Sequence, residues 1–507
     1  MRPSNNLNFS ENRSNIYDRA VQFLALLAFA YTFIRASILS ITHDEALTYL
    51  ISASTSFRDI LAYNLPAMSN CHLLNSVLIK LLTGILDVSE LTIRIPALIG
   101  HVLYLAGIYN ILKFFLKKTR LIFGMVLLLF NPFMLDFFSC ARGYALGLGF
   151  MSLGLLFLFR RIKESRYAKD IKNTSLAIAL LTISVFSNIS FFNVFLSVAT
   201  VFMFLEVSES ISVIKNRQSA LLFLKQFLKC FLPLAPGILL LWVAYAQPII
   251  KMSKGQEFYY GGTEGFWQNT VKSLAEVTLY GRVYPRLFIG IELLIAGVII
   301  IALAALVYKL AVKSQFNLID KYLSCILAIL FISALSIGLQ HILFNTKYVI
   351  ERTAIYFIPL FYLLVLILWR KADSIKLSPA RNILNIFFYL IVSASLLNFV
   401  TSVNFGHFLS WKYDASTKKM MNYLTQINKG KNPQDGSVSL GIDWVFEPSI
   451  NFYRKVNNLA WLKAVDRGGP DNKFDYYYLL LDSKGLMEKY HLTVLKKFDT
   501  SDTYLSR

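Results

Sequence analysis

Long apolar runs alternate with short polar breaks along most of the chain. Each run approaches the roughly 20 residues that an α-helix needs to cross a bilayer's hydrocarbon core. About eleven such segments are read, near 19–40, 91–112, 121–138, 142–159, 174–189, 191–207, 230–247, 287–308, 322–343, 353–369 and 382–402. Helices satisfy their own backbone polar groups in lipid, and no ten-residue alternation of the barrel type is present. The pattern therefore predicts a polytopic α-helical membrane protein over 1–403.

Two stretches break that pattern. The first, 41–89, follows the first span and holds an amphipathic run, Glu45–Ala62, and a second helical run, Cys71–Leu86. The second, 404–507, is polar. Its strand-like runs Ser437–Ile442, Tyr476–Leu481 and Leu492–Phe498 alternate with helical patterns at Thr417–Ile427 and Pro448–Val456. That alternation predicts a small extracytoplasmic α/β domain.

Charge orients the spans. The chain has 507 residues, 56% hydrophobic and 16% charged, with a formal net charge of +21. The positive charge collects in every second loop: the N-terminus, 113–120, 160–172, 215–229, 309–321 and 370–381. By the positive-inside rule these loops and the N-terminus are cytoplasmic. The C-terminus then lies outside, with 41–89, the loop around Asp136, 247–286 and 344–352. No basic face or binding motif accompanies the charge, which argues against nucleic acid and for membrane lipids as partners. Ala28–Ala30 has the small-residue look of a processing site, but the apolar run continues to Leu39, so a retained first span is expected. The four cysteines, Cys71, Cys140, Cys230 and Cys325, show no metal-type spacing. Cys71 and Cys140 both fall on the outer side, where a disulfide is an open alternative to free thiols.

The densest chemistry is in Ile41–Tyr49, where His43, Asp44 and Glu45 follow one another as the chain leaves the bilayer. Adjacent carboxylates at a membrane boundary are costly unless hydrated or paired. A plain alternative is that Asp44 caps a helix beginning at Glu45. Asp136 is a second acidic candidate on the same side. Arg142 and Arg352 match phosphate geometry, though arginines at such depths also snorkel toward headgroups. The loop 247–286 carries Lys251, Lys254, Tyr259, Tyr260, Trp267, Arg282 and Arg286, a mixture suited to lipid phosphate and sugar and equally to interfacial anchoring.

Five elements, taken in order, resemble the GT-C glycosyltransferases, specifically the protein O-mannosyltransferase and aminoarabinose-transferase group (glycosyltransferase family 39-like). They are the Asp44-Glu45 pair; Asn70-Cys71-His72-Leu73-Leu74-Asn75, which lacks the family's prolines; Arg94-Ile95-Pro96-Ala97-Leu98; Asn131-Pro132 through Ser139-Cys140-Ala141-Arg142-Gly143-Tyr144; and Glu351-Arg352-Thr353 through Phe357-Ile358-Pro359-Leu360. The resemblance covers about 42–360. It implies a multi-pass enzyme of a bacterial inner (plasma) membrane that transfers a sugar from a polyprenyl-phosphate carrier to a lipid, glycan or protein acceptor. It implies Asp44 as base, with Glu45 orienting the acceptor or tuning Asp44. Arg142 and Arg352 become donor-phosphate contacts, and His43, His72, Asp136, Tyr144 and Tyr259 substrate contacts. The leaving phosphate is already a stable anion, so a base suffices and no general acid is needed; single displacement inverts the anomeric centre. That chemistry requires no cofactor and no metal; His43, Asp44, Glu45 and His72 are the residues that would hold a divalent cation if one takes part.

Two other classes are weighed. A transporter or flippase of lipid-linked glycans would show two related halves with interrupted helices at matching positions, and no such halves are visible. A scaffold that presents an outer domain would leave the His43-Asp44-Glu45 run without a purpose.

Overall fold

The computed structural model describes residues 6–66, 68–164, 167–217, 220–429 and 436–507. Eight helices among them are long and apolar enough to cross a membrane: Ile16–Ile38, Glu90–Leu112, Tyr144–Lys163, Ile189–Ser208, Phe231–Lys254, Pro285–Ala311, Leu318–Phe344 and Ser378–Ser402. Thr119–Leu129 and Pro132–Ser139 form a ninth if taken as one span, bent by 65°. Pro132 lacks the N–H that would continue the helix, and the Asn131 side chain accepts from the Met134 N–H at 3.0 Å to start the next one. The two remaining expected spans are also helices, but short: the apolar part of one is Ile171–Ser187, and the other is Phe357–Ala372. The protein is thus multi-pass and α-helical, with eight clear spans where about eleven segments were read.

The chain forms two compact units. The first comprises Met1–Tyr31, Leu98–Phe138 and Gly143–Val403 and holds most of the apolar helices. Its helices are tied by buried polar contacts. The Asn193 side-chain oxygen accepts from Ser336 (2.9 Å) and Gln340 (2.7 Å), and Ser197 bonds Ser333 at 2.8 Å. Such contacts join helices where water cannot compete for the polar atoms. At Asp320, which is 1% exposed, Lys309 and Lys371 both form ion pairs with the carboxylate.

The second unit comprises Thr32–Ala97, Ser139–Arg142 and Asn404–Arg507. The polar C-terminal stretch therefore folds together with the loop that carries His43-Asp44-Glu45. Its sheet runs β1 (Leu440–Ile442), β2 (Tyr476–Leu480), β3 (Val494–Phe498) and β4 (Thr503–Ser506), in spatial order β1-β2-β4-β3. β1 and β2 are parallel, and β4 is antiparallel to both β2 and β3. The helices Thr417–Lys429 and Glu447–Val456 share one apolar core with the sheet and with Ile41, Ala46, Tyr49, Ile79 and Ile93. Phe452 meets Tyr49 edge-on at 5.4 Å, seating the Glu447–Val456 helix on the motif helix, His43–Ser54.

Candidate active site

The site is built on the first turn of the His43–Ser54 helix. Thr42 is its N-cap. The Thr42 side chain accepts from the Glu45 N–H, and the Glu45 carboxylate accepts from the Thr42 N–H at 3.0 Å. This reciprocal capping box satisfies two of the helix's orphan donors. Asp44 is therefore not the cap, contrary to the plain alternative read from the sequence, and it lies one residue inside the helix.

Glu45 is fully buried, and its oxygens are engaged on every side. Arg94 grips it with Nε to Oε1 and Nη2 to Oε2, both at 2.8 Å. The Ala141 N–H donates to Oε1 at 2.6 Å. Arg94 spends its remaining N–H groups on Ala36, Leu39 and Ser40 carbonyls at 2.8–3.1 Å, closing the C-terminal end of the first helix. Burial alone would push the Glu45 carboxyl up; the Arg94 charge and these hydrogen bonds outweigh it and hold it below the ordinary carboxylate range. A substrate has no approach to Glu45, so the acceptor contact expected for it does not fit this geometry. The pair instead fastens the first helix, the motif turn and Ala141 to one another.

Asp44 points elsewhere. Its side chain is 15% exposed, and the Arg142 Nη2 lies 3.5 Å from its Oδ2. Arg142 is only 4% exposed and also donates to the Asn70 side-chain oxygen and, at 3.3 Å, to the Thr48 hydroxyl. The Asn70 amide in turn donates to Thr48 Oγ1 (3.0 Å) and to the Asp44 carbonyl (3.3 Å). Asn75 donates to the Ala141 carbonyl at 3.1 Å. The two asparagines of the Asn70–Asn75 element thus hold the motif turn and the Ser139–Arg142 segment in place without the prolines the family pattern has there. His72 precedes the Leu73–Ile85 helix and is 6% exposed. Cys71 and Cys140 are free thiols, so the disulfide alternative falls. Cys230 is outside the residues whose side chains are described.

The C-terminal stretch adds groups that sequence reasoning missed. Asp414 is 1% exposed and accepts from the His43 N–H at 2.7 Å, the Ser449 hydroxyl at 2.7 Å and the Thr417 hydroxyl at 3.0 Å. Burial pushes its carboxyl up to about 7 against those three hydrogen bonds, and the charge of Asp44 adds to the rise. The His43 Nδ1 lies 2.7 Å from the Val445 carbonyl, and its ring meets Trp444 edge-on at 5.9 Å. The Tyr453 hydroxyl accepts from the Ile41 N–H at 2.8 Å and donates to Glu90 at 2.9 Å. Asp414 lies 371 residues from His43 and Tyr453 lies 412 from Ile41, and no local pattern marks either.

The other expected residues lie in the first unit. Asp136, 2% exposed, accepts from the Tyr280 hydroxyl at 2.9 Å. Tyr144 is buried edge-on against Phe137 at 4.9 Å. Tyr259 is 68% exposed, and its carbonyl accepts from Lys347 at 2.7 Å. The Arg352 guanidinium lies over the Tyr260 ring at 4.3 Å, and the Tyr260 hydroxyl donates to Glu351 at 2.6 Å. The stretch read as the loop 247–286 is partly helical: the preceding helix continues to Lys254, and Phe266–Thr278 is helical too. Among the described residues, no group of three His, Cys, Asp or Glu side chains is arranged to hold a metal ion.

No protein-family model matches the chain, and no curated protein matches it. Solved structures do. ArnT from Cupriavidus metallidurans, in the apo state and bound to undecaprenyl phosphate, aligns over 96% of this chain and 97% of its own at 10% identity, with a TM-score of 0.48. The Archaeoglobus fulgidus oligosaccharyltransferase AglB, in complex with an inhibitory peptide and a dolichol-phosphate, aligns over 93% of this chain and 70% of its own at 14% identity, TM-score 0.45. The arabinosyltransferase EmbB from Mycobacterium smegmatis aligns over 82% of this chain and 43% of its own at 11% identity, TM-score 0.42.

Proposed function

We propose that the chain is an inverting glycosyltransferase that moves a sugar from a polyprenyl-phosphate carrier to an acceptor hydroxyl or amine at the outer face of the membrane. The observation that carries this reading is the division of labour between the two adjacent acids. Glu45 is consumed by Arg94, Thr42 and Ala141, whereas Asp44 keeps an exposed edge on a turn fastened by those contacts. A carboxylate on a rigid, partly open turn suits a general base, which must meet the acceptor proton within hydrogen-bond reach.

Arg142, beside Asp44, suits the donor phosphate: its Nε makes no hydrogen bond, and a guanidinium matches phosphate oxygens in geometry. Arg352 and Asp136 keep the roles the sequence suggests, donor-phosphate and acidic contacts respectively, and His72 and Tyr259 those of substrate contacts. The charge pattern supports an orientation with the N-terminus inside, and an inner (plasma) membrane location rests on the family resemblance.

The test is donor consumption. The protein in lipid nanodiscs is given a panel of radiolabelled polyprenyl-phosphate sugars with crude membrane extract as acceptor source, and release of polyprenyl phosphate is measured. Release from one donor, reduced by about 10²–10⁴ in Asp44→Asn, is expected for loss of a general base. Undiminished release in that variant removes Asp44 as base. No release from any donor favours movement of lipid-linked glycans, or a scaffold that presents the outer domain, instead.

A further inference from the structure

Trp444 is large, apolar and 56% exposed, and the packing of its own unit does not require that exposure. Three features of the second unit converge on it. It lies just past the end of β1, after Asp443, and β1 is paired in parallel with β2. Trp444 therefore leaves the sheet just past the carboxyl end of an edge strand. Asp443, between β1 and Trp444, accepts from the Leu480 N–H at the end of β2 at 2.7 Å and pins the start of that loop. Next, the His43 ring meets the indole edge-on at 5.9 Å, and His43 Nδ1 lies 2.7 Å from the Val445 carbonyl. The exposed ring is thereby placed beside the residue that precedes Asp44. Finally, the Arg467 guanidinium lies 5.8 Å from the indole centroid, and its Nε is 3.4 Å from a Glu447 carboxylate oxygen.

We infer that Trp444, with Arg467 and Glu447 at its rim, is a stacking platform for a neutral sugar ring of the acceptor. The charges select that occupant. Arg467 is paired with Glu447, so the rim presents hydrogen-bond donors and acceptors with no net charge. A phosphate would have to compete with the Glu447 carboxylate for Arg467. A pyranose offers an apolar C–H face to the indole and hydroxyls to the rim, and an aromatic body beside polar groups is what such mixed surfaces need. This inference rests on reading Asp44 as the base of a sugar transferase, since it makes the platform the acceptor's seat.

Full-length protein in nanodiscs is applied to an array of neutral and acidic glycans in the Asp44→Asn form, so that binding is read without turnover. Binding of a neutral glycan, weakened about tenfold or more by Trp444→Ala and largely kept by Trp444→Phe, is expected for an exposed aromatic ring that the bound sugar covers. Equal binding with and without the indole overturns the platform, as does an absence of any glycan bound. Trp444→Ala is also compared with the unsubstituted protein for fluorescence quenching by brominated lipids. Quenching that disappears with the indole means that Trp444 is a membrane anchor, and the inference is lost. The base is judged separately, by donor release in Asp44→Asn: release without change refutes the base while Trp444-dependent glycan binding stands or falls on the array.

Discussion

At the residue scale, Glu45 and Asp44 differ far more than their adjacency suggests. Glu45 and Arg94 are both fully enclosed, a bidentate pair with the remaining lone pairs and N–H groups satisfied by Thr42, Ala141 and the end of the first helix. Removing one member of such a pair strands the other's charge, at a cost of about 3–5 kcal/mol. Glu45→Gln is therefore expected to lower the unfolding temperature well below that of Asp44→Asn, whose side chain is partly hydrated. The double variant Glu45→Gln/Arg94→Met should regain part of the loss, because no charge is then left buried. Thermal unfolding of the three variants in one detergent decides this; a Glu45→Gln protein as stable as the Asp44→Asn protein would mean that Glu45 is not an anchor. From sequence, both carboxylates were candidates for chemistry, Asp44 as base and Glu45 as the group that orients the acceptor or tunes Asp44. What separates them is Arg94, 49 residues on. It was visible only as part of the Arg94-Ile95-Pro96-Ala97-Leu98 element, because which carboxylate it takes depends on a helix phase that hydropathy does not resolve.

At the scale of elements, the motif turn is fixed by pieces from distant parts of the chain. The His43–Ser54 helix and its cap follow from Thr42 and Glu45, and the strands and helices of 404–507 lie close to where alternation and periodicity predict them. The short last strand, Thr503–Ser506, was not legible, because four residues carry too little pattern to distinguish a strand from a tail. Asp414 was not legible either: its role exists only once its segment meets His43 and Ser449. Its titration makes a prediction. The carboxyl is raised from 3.8 to about 7 by burial, against hydrogen bonds from Ser449, His43 and Thr417 and with repulsion from Asp44. The folded protein thus holds this proton more tightly than the unfolded chain, so Asp414 makes stability fall as pH rises from about 4 through 7. Asp414→Asn presents an amide that satisfies the two hydroxyls and the His43 N–H much as the protonated acid does. Between pH 5 and pH 8 the unsubstituted protein should lose more thermal stability than this variant. An identical pH dependence in the two would show that Asp414 titrates well below that range.

At the scale of the whole molecule, the apolar segments and their loops were the most legible feature, because the length of a span and the sign of its flanks are local properties of sequence. Their count is softer. The Asn131-Pro132 break divides one segment, and Phe357–Ala372 is too short to cross unaided. Each such helix matters to topology, since every added or lost crossing moves the following loop to the other face. With eleven crossings the C-terminal stretch is outside and the basic turn at Lys117–Lys118 is inside; with ten, the two would share a side. Cysteines introduced singly at Lys117 and Lys489, both exposed, in a background with the native cysteines replaced, separate these cases. A membrane-impermeant maleimide applied to intact cells should modify Lys489→Cys at once and Lys117→Cys only after permeabilisation. Labelling of both, or of neither, before permeabilisation would place 404–507 and the basic turn on one face. Asp44 is folded into one compact unit with 404–507, so an inside location for that stretch would also remove the outer-face setting on which the proposed chemistry depends.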